Sequence, residues 1–587
     1  MSVVPEVQIK VGNCEIDEVI QVVLHQECMK QHILTVQVRR DHLEKETESL
    51  FKTTQKFLGE KLQMRIKSDY NEIAHFKGIV TEIKTTRTEE NPGDLIEIYA
   101  SSPDILLADK SDYNTYIDQS LSEIVLSVLN NYGLGVPAEV SPRPNTDIEY
   151  VTQYDESAYD FLSRLAVRYG QWFFYDGTSV YFGALPQKIN KLVYGRDLFN
   201  MRLTMKLTSF LYDYFLCDYR ANTQHKVSSE ATECRIPKLS DSPYESSKQL
   251  FQHRSSHFFQ GKLNLAGVYD DLQKTVKLSK AASVSNLLVC NAQTDNPNLS
   301  LGSVVEITEK MHAQDKEKQL NHGKFIVIGL EHRLDKNGNY FNEFVAIPFD
   351  IEAPPYTNPD LFVIAEPHYA TVKDNADPNG MGRIKVCFPW QETQDENIET
   401  PWLRIANPYA GQEKGFFFIP EVGEEVLVGF ESGNVDKPYV LGGMYHGHHK
   451  TPEGWRSDKN DIKAIRTRSG HTVEFVDKEG GEEVRIYDGE EGNHQYAITL
   501  ASHDGSVTLE ARGDMVIKAE NIRISANQNI ELEASDISQK ANQSFGLIAA
   551  TKMSLDGGAQ MEQKASASFS VDGGGQLRQK ASIIKIN

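Results

Sequence analysis

The clearest hydrophobic pattern in this 587-residue chain is a repeat near its C-terminal end. Two inward-type positions with one residue between them recur every seven or eight residues. Gln-Lys-Ala starts at 539, 563 and 579, and Asp-Gly-Gly at 556 and 572, so the repeat extends to identical residues. The pairs are Val507/Leu509, Met515/Ile517, Ile522/Ile524, Ile530/Leu532, Ile537/Gln539, Phe545/Leu547, Met553/Leu555, Met561/Gln563, Phe569/Val571, Leu577/Gln579 and Ile584/Ile586.

Each pair predicts a short strand with two inward side chains, and the Gly, Asn, Asp and Ala residues between pairs allow a corner. One such strand cannot bury its apolar side alone, so the strands must stack. Two architectures fit. One chain can wind as a solenoid and climb about 18 Å, or three chains can intertwine and climb about 50 Å, at roughly 4.8 Å per strand. The few, modestly sized inward residues favour the narrow core of the three-chain form.

Glutamine replaces the second inward residue at Gln539, Gln563 and Gln579. Threefold symmetry would bring three amides together on the axis at each level, and buried amides need hydrogen-bond partners. We therefore expect these amides to bond to one another or to hold axial water. The alternative is that each glutamine points outward from an irregular corner.

Two helices are predicted in the first third of the chain. Apolar residues at helical spacing predict a helix over 120–132, which a capping box of Ser120 and Glu123 begins and Gly133 ends. The same spacing predicts a second helix from Ser157 to a stop at Gly170.

Strands surround these helices. Aromatic and β-branched residues at 171–175 and 179–182 predict a hairpin whose turn is Asp176-Gly177. Alternating apolar and polar residues at 34–38 and 79–83 predict half-buried strands. This part of the chain is predicted to be an α+β region in which sheet dominates.

The stretch from 365 to about 450 contains short alternating segments separated by Pro, Gly and Asn turns. Segments 383–386, 402–405 and 425–428 alternate, and Phe388-Pro389-Trp390 closes the first of them. The pattern predicts several short strands arranged as a small β-barrel.

Composition excludes several classes of function. The formal net charge is -22, which disfavours a sequence-independent grip on nucleic acid or anionic lipid. The six cysteines show no C-x-x-C pair, which suits a reducing compartment. The N-terminal residues lack a signal-peptide pattern, and no apolar run approaches 18 residues. We expect the chain to be made in the cytoplasm and to leave it only through a dedicated export machine.

Candidate chemistry is sparse, and we predict no enzymatic activity and no cofactor. None of the H-E-x-x-H, G-x-x-x-x-G-K-[ST], G-x-S-x-G or EF-hand motifs occurs. His446, His448 and His449 are weak zinc candidates, because imidazoles so close together on a loop can converge on one metal ion. A solvated polar turn is the alternative that we favour for these histidines.

Several motifs resemble the VgrG family, the spike proteins of bacterial type VI secretion, which are related to the hub and spike of contractile phage tails. The collar-like motifs are DPNGMGRIKVCFPW at 377–390, GFFFIPEVGEEVLVGF at 415–430 and GNVDKPYVLGG at 433–443. Segment 151–177 is similar to the hub of that family. Its matching residues are Tyr154, Glu156, Ser157, Asp160, Phe161, Leu162, Arg164, Leu165, Gly170, Trp172, Phe173 and Phe174.

The resemblance implies a mainly β, multidomain fold. It implies a phage tail hub-like region over 1–360, an oligosaccharide/oligonucleotide-binding (OB) barrel as a collar over 361–450, a neck over 451–500 and an intertwined triple-stranded β-helix, the needle, over 501–587. The catalytic domain that the related phage spike carries between collar and needle has no room here. The needle core is expected to comprise Val507, Leu509, Met515, Ile517, Ile530, Leu532, Phe545, Leu547, Met553, Leu555, Phe569 and Val571.

The resemblance also implies a homotrimeric spike at the tip of a contractile injection machine, delivered outside the cell or into a target cell. Its partners would be an Hcp-type inner-tube hexamer, baseplate components, effector proteins, the target cell envelope and a PAAR-type tip protein, with no nucleic acid. The tip protein would cover Ile583, Ile584, Ile586 and Asn587. The alternative function is a carbohydrate-binding or adhesive β-helix of a phage tail or cell surface, and an enzyme is a third possibility.

Overall fold

A computed structural model describes residues 6–44, 51–68, 71–86, 94–259, 261, 267–313, 316–394, 398–489 and 494–586. The chain divides into two compact units, Met1–Pro452 and Glu453–Asn587. Strands are the main regular element of both units, and the prediction of a mainly β, multidomain chain is confirmed.

The first part of unit 1 contains the predicted α+β region. Its helices are α1 (Arg40–Leu43), α2 (Leu121–Tyr132) and α3 (Ala158–Tyr169). Its strands are β1 (Glu6–Val11), β2 (Cys14–Ile16), β3 (Gln21–Glu27), β4 (Ile33–Arg39), β5 (Lys61–Ser68), β6 (Asn71–Thr86), β7 (Leu95–Ser101), β8 (Asp112–Ser120), β9 (Ala138–Ser141), β10 (Asp147–Glu156), β11 (Trp172–Tyr175) and β12 (Val180–Gly183).

Both predicted helices are confirmed, and each begins and ends where the local signals place it. Ser120 and Glu123 form a reciprocal capping box on α2, and Gly133 ends that helix in the left-handed conformation. Ser157 accepts a hydrogen bond from the backbone N–H of Asp160 at the start of α3, and Gly170 ends it. The predicted hairpin is formed by β11 and β12.

The second part of unit 1 continues the same large sheet. Its helices are α4 (Asp241–Leu250) and α5 (Val268–Ser285). Its strands are β13 (Ile189–Tyr194), β14 (Leu198–Met205), β15 (Tyr212–Asp218), β16 (Thr223–Ser228), β17 (Ser255–Phe258), β18 (Leu288–Thr294), β19 (Val304–Ala313), β20 (Lys316–Asp335) and β21 (Tyr340–Pro348).

Thirteen strands form one sheet in the order β19-β13-β14-β18-β21-β20-β3-β4-β7-β6-β5-β1-β2. An added pairing of β19 with β20 closes the first six of these strands into a barrel. Alternate residues Leu34, Val36 and Val38 are fully buried, as their spacing predicts, and pack in one core with α2 and α3. Strands β15, β16 and β17 form a separate small sheet that packs on α5.

The last part of unit 1 is the predicted barrel region, with β22 (His368–Asp374), β23 (Lys385–Cys387), α6 (Pro389–Gln394), β24 (Ala410–Gly411), β25 (Lys414–Gly415), β26 (Glu425–Phe430) and β27 (Pro438–Gly443). The expected strand at 402–405 is not continuous. Leu403 and Ile405 each make a single bridge, to Ile384 and Val440. Pro401 just before them has no N–H to donate to a ladder, which shortens the pairing.

Unit 2 begins with a five-stranded antiparallel meander, β28 (Ile462–Arg466), β29 (Thr472–Val476), β30 (Glu483–Tyr487), β31 (Tyr496–Ala501) and β32 (Ser506–Ala511). Neighbouring strands pair in chain order. The hairpin of β31 and β32 crosses residues 500 and 501, where the boundary between neck and needle is expected. Short 3-10 helices lie at Thr54–Phe57, Pro103–Ala108, Lys238–Ser240, Glu431–Gly433 and Glu453–Trp455.

Candidate functional site

The meander of unit 2 has one continuous apolar face. Cross-strand partners such as Ile486 and Ile498, or Leu500 and Val507, place these side chains opposite one another on adjacent strands. Most members of this face are exposed. The face comprises Ile465, Val473, Phe475, Val484, Ile486, Ile498, Leu500, Val507 and Leu509.

The opposite face of the same sheet carries a network of polar side chains that bond to one another. The Tyr487 hydroxyl donates a hydrogen bond to Glu474 at 2.8 Å, and Arg485 pairs with Glu474 and Glu483. Glu474 and Thr472 are buried on this side. The exposure of the two faces is therefore the reverse of that in a sheet that covers its own core, because here the apolar face is the open one.

The repeat that follows, residues 512–586, forms no strand and no strand pairing. Within 513–586 the backbone hydrogen bonds are those of two turns, Gln560 to Gly557 and Gln576 to Gly573. All twelve residues of the expected needle core lie within 512–586 or on β32, and their exposed fractions range from 48% to 67%. Within one chain they form no core.

The repeat is regular at its turns as well as in its spacing. In both Asp-Gly-Gly turns the aspartate side chain accepts a hydrogen bond from the second glycine, from Gly558 to Asp556 at 3.0 Å and from Gly574 to Asp572 at 2.8 Å. Both of these glycines have positive φ, which explains why glycine occupies these corners. Equivalent corners thus recur with equivalent geometry.

The remaining predicted positions of the repeat also lie on its surface. Gln539, Gln563 and Gln579 are exposed, so the arrangement of amides on an axis stays a prediction. Ile583, Ile584 and Ile586 are exposed at the end of the described chain. Asn587 lies outside the described residues.

The three histidines of the zinc hypothesis lie together on the loop after β27. The ring of His446 lies 4.5 Å from that of His449 and 6.3 Å from that of His448, measured between centroids. The Nδ1 atom of His446 accepts a hydrogen bond from the backbone N–H of His448 at 3.3 Å. Across the described ranges, no group of three His, Cys, Asp or Glu side chains is placed to hold a metal ion. The zinc site stays a prediction.

Unit 1 contains a buried ionic cluster that joins the helical region to the barrel region. Asp436, on the loop before β27, accepts hydrogen bonds from Arg168 at 2.5 Å and from the backbone N–H of Thr152 at 3.0 Å. Arg164 lies 3.7 Å from the same carboxylate and makes a bond of 2.6 Å to Glu156. Burial raises the pKa of Glu156 although Arg164 opposes that change. Asp436, Arg168, Arg164 and Glu156 thus form one network of ion pairs and hydrogen bonds.

An aromatic cluster lies at the same junction. The Tyr154 hydroxyl and His368 Nε2 are 2.7 Å apart, and Trp390 packs edge-on against both rings. The indole N–H of Trp390 donates a hydrogen bond to Thr115 at 3.2 Å. Residues of the hub-like and collar-like parts therefore share one packed interface.

Two protein-family profiles match the chain, and each covers one of these parts. Residues 34–189 match the phage tail baseplate hub (GPD). Residues 368–445 match the type VI secretion system/phage-baseplate injector OB domain, which confirms the predicted OB-type barrel. No helix among the described residues has both the length and the apolarity needed to cross a bilayer.

Curated relatives extend the similarity beyond these two segments. The type VI secretion system spike protein VgrG5 of Pseudomonas aeruginosa is 27% identical over a match that covers 64% of this chain and 50% of that protein. The actin cross-linking toxin VgrG1 of Vibrio cholerae is 23% identical, with 69% of this chain and 38% of that protein covered. The chain is a VgrG-type protein. Its match spans half or less of the length of these two relatives.

A solved structure supports the same fold. A chain from the Francisella PdpA-VgrG complex, in its half-lidded form, matches this VgrG-type chain with a TM-score of 0.55 at 10% identity. The match covers 86% of this chain and 88% of the other. At this identity the likeness concerns the fold alone.

Sequence reasoning found the segments of the VgrG-type chain that meet at the ionic cluster but not the contact between them. Arg164 lies in the hub-like motif and Asp436 in the motif at 433–443, far apart in sequence. It also missed the apolar face of the meander before Val507. The signal was present, because Val473/Phe475, Val484/Ile486 and Ile498/Leu500 show the same two-residue spacing.

Proposed function

We propose that this chain is the homotrimeric puncturing spike of a contractile injection machine of the type VI secretion kind. Three copies place the apolar faces of their meanders around a common axis. The repeats then intertwine into a triple-stranded β-helix. The spike acts mechanically, without catalysis and without a cofactor, when the machine drives it through a target envelope.

The observation that carries this proposal is the exposure of the inward positions over two consecutive segments. The nine apolar residues of the meander face and the inward pairs of 512–586 form one series along the chain, and a single copy leaves most of them in solvent. An apolar series of this length is unfavourable in water and marks an interface. A second and a third copy of the same chain offer the same repeat in the same register.

A single-chain solenoid has less support. Winding of one chain would pair its own strands and bury its own inward side chains. Over 513–586, however, the backbone bonds are turn bonds and the inward side chains are exposed. In the intertwined form each strand would have neighbours from the other chains above and below, which removes lateral edges and makes the rod stiff.

The proposed partners follow from the machine to which VgrG-type relatives belong. VgrG5, named as a type VI secretion system spike protein, supports a place on an Hcp-type inner-tube hexamer among baseplate components. The exposed Ile583, Ile584 and Ile586 suit an apolar contact with a PAAR-type tip protein, and effector proteins would travel with the spike. The spike would be made in the cytoplasm and delivered outside the cell or into the target cell.

Mass photometry of the purified full chain tests the assembly directly. We expect a species of three times 66.2 kDa. The variant Leu532→Lys, which places a charge at an inward position, should weaken assembly of the repeat, whereas Glu531→Lys at the neighbouring outward position should not. A wild-type chain that stays at the mass of one copy, or an image of one chain coiled on itself, would contradict the proposal.

A further inference from the structure

Unit 1 contains a cavity of about 230 Å³ that the spike function does not use. It lies beside β3, β5, β20 and His75 of β6, and the segments 176–188 and 299–300 form its other walls. The cavity is smaller than the sites that hold drug-sized ligands, about 300 Å³ and above. Its lining combines the imidazole of His332 and the ammonium group of Lys188 with the apolar side chains Leu24, Met64, Ile66 and Leu299.

The hydrogen bonds behind His332 favour one of its two tautomers. The Asn342 amide nitrogen donates to the Asn296 carbonyl at 2.8 Å and to the Tyr340 hydroxyl at 3.0 Å. Because the Asn296 carbonyl can only accept, the nitrogen and oxygen of Asn342 cannot be exchanged. The Tyr340 hydroxyl accepts from Asn342, and His332 Nδ1, 2.5 Å away, is the acceptor that its single hydrogen finds among the described residues.

It follows that the other ring nitrogen of His332, Nε2, is an N–H donor. His332 is 95% buried, since only 5% of its surface is exposed, and Nε2 has no hydrogen-bond partner among the described residues. Burial, with a smaller contribution from the charge of Lys188, lowers the pKa of His332 to about 4. At neutral pH the cavity is thus lined by a neutral imidazole with one fixed donor.

Two more groups at the cavity complete a set of donors. Lys188 also lines the cavity; burial lowers the pKa of its ammonium group, and the charge of Asp176 on the same lining opposes that change. The backbone N–H of Ser300 donates a hydrogen bond to the Ser303 hydroxyl, and the Ser300 carbonyl accepts one from it. The Ser300 hydroxyl forms no hydrogen bond among the described residues. An imidazole N–H, an ammonium group and a hydroxyl can all donate to one anion.

The other residues of the lining define what kind of anion fits. The apolar side chains suit a short hydrocarbon body attached to the anionic group. Asp176 also lines the cavity, and its negative charge disfavours a dianion such as phosphate. We infer that the cavity binds a small monocarboxylate, whose carboxylate takes hydrogen bonds from His332 Nε2, Lys188 and Ser300 while its alkyl part lies against the apolar wall.

Saturation-transfer NMR with the purified full chain tests this inference. Propionate is the probe, propionamide is the uncharged control of similar shape, and sodium chloride keeps the ionic strength constant. We expect saturation transfer to propionate and none to propionamide. Equal transfer to both compounds, or none to either, would overturn the inference.

Variants locate the bound propionate. Lys188→Met should raise the dissociation constant by about tenfold or more, because it removes a charged donor, and Ser300→Ala by about fivefold. Lys191→Met, on β13 and outside the cavity lining, is the matched control and should leave the constant unchanged. Since Lys188 and Ser300 lie outside the buried core, both variants are expected to fold. An unchanged constant in Lys188→Met would also overturn the inference.

Discussion

The two units of this chain treat apolar side chains in opposite ways. In unit 1 the strand residues Leu34, Val36 and Val38 are fully buried, and helices α2 and α3 complete their core. In unit 2 residues of the same chemical type and the same two-residue spacing lie in solvent, as Val507 and Leu509 do. The same alternation of apolar and polar residues is therefore buried in one unit and exposed in the other. The difference is whether other elements of the same chain pack on the apolar side chains.

The comparison teaches that the two units should respond differently to concentration and to charge. When a substitution destabilises a core that one chain forms by itself, the loss in free energy of unfolding does not depend on protein concentration. An interface among copies depends on concentration through mass action.

A charge placed at an inward position of the repeat should have the largest effect. Phe545→Asp would bury three carboxylates at one level of the proposed needle, and each unpaired buried charge costs several kcal/mol. We expect residues 512–586 to become sensitive to protease at low protein concentration. Ser544→Asp, at the adjacent outward position, is the control. Equal protease resistance in both variants would argue that position 545 is not inward.

Loss of Asp436 should be the next largest effect, and it should be independent of protein concentration. Asp436→Asn leaves the guanidinium groups of Arg164 and Arg168 buried without their shared carboxylate. Breaking a buried ion pair in this way costs about 3–5 kcal/mol. Urea unfolding followed by intrinsic fluorescence, to which Trp172, Trp390 and Trp402 of unit 1 contribute, measures the change. Asp461→Asn in unit 2 serves as a control, and a difference below 1 kcal/mol from that control would contradict the prediction.

The pH dependence of unit 1 should come third in size. Burial lowers the pKa of His332 to about 4 from an ordinary value of 6.5, so the folded state disfavours the protonated ring. Stability is therefore complete above pH 6.5 and falls as the pH drops toward 4, by about 3 kcal/mol from this group. Chemical unfolding at a series of pH values measures the slope. His448→Asn, an exposed site, should leave the profile unchanged, and a flat profile in the wild type would contradict the prediction.

The helix cap at Ser120 should give the smallest effect. Ser120→Ala removes the side-chain acceptor for the Glu123 N–H at the start of α2, and loss of such a cap costs about 1 kcal/mol. Ser127→Ala, at an exposed position within the same helix, is the control. Thermal unfolding of the two variants should differ by this amount, whereas identical curves would mean that the cap is dispensable.

Local signals explain the parts of unit 1 that the sequence predicted well. Ser120, Gly133, Ser157 and Gly170 act within a few residues of themselves, so the ends of α2 and α3 could be placed from neighbouring residues alone. The expected strand at 402–405 shows the limit of this reasoning. Its alternation is correct, but Pro401 and the available partners reduce it to single bridges.

Contacts over long separations could not be predicted in this way. Asp436 and Arg164 lie in different motifs, and nothing within either motif indicates that the two side chains meet. The cavity at His332 is a similar case, because its donors come from three separate segments of the chain. Sequence distance hides such contacts, since only the packing of whole elements brings the groups together.

The sequence by itself determined the alternation of strands, the two capped helices and the repeat with its Asp-Gly-Gly corners, because these depend on backbone preference and on residues close in the chain. The tertiary structure decided which alternating faces are covered within the chain, which charges share a partner and where the donors of the His332 cavity converge. These properties depend on burial and on distances between remote residues, and they exist only when the elements have packed.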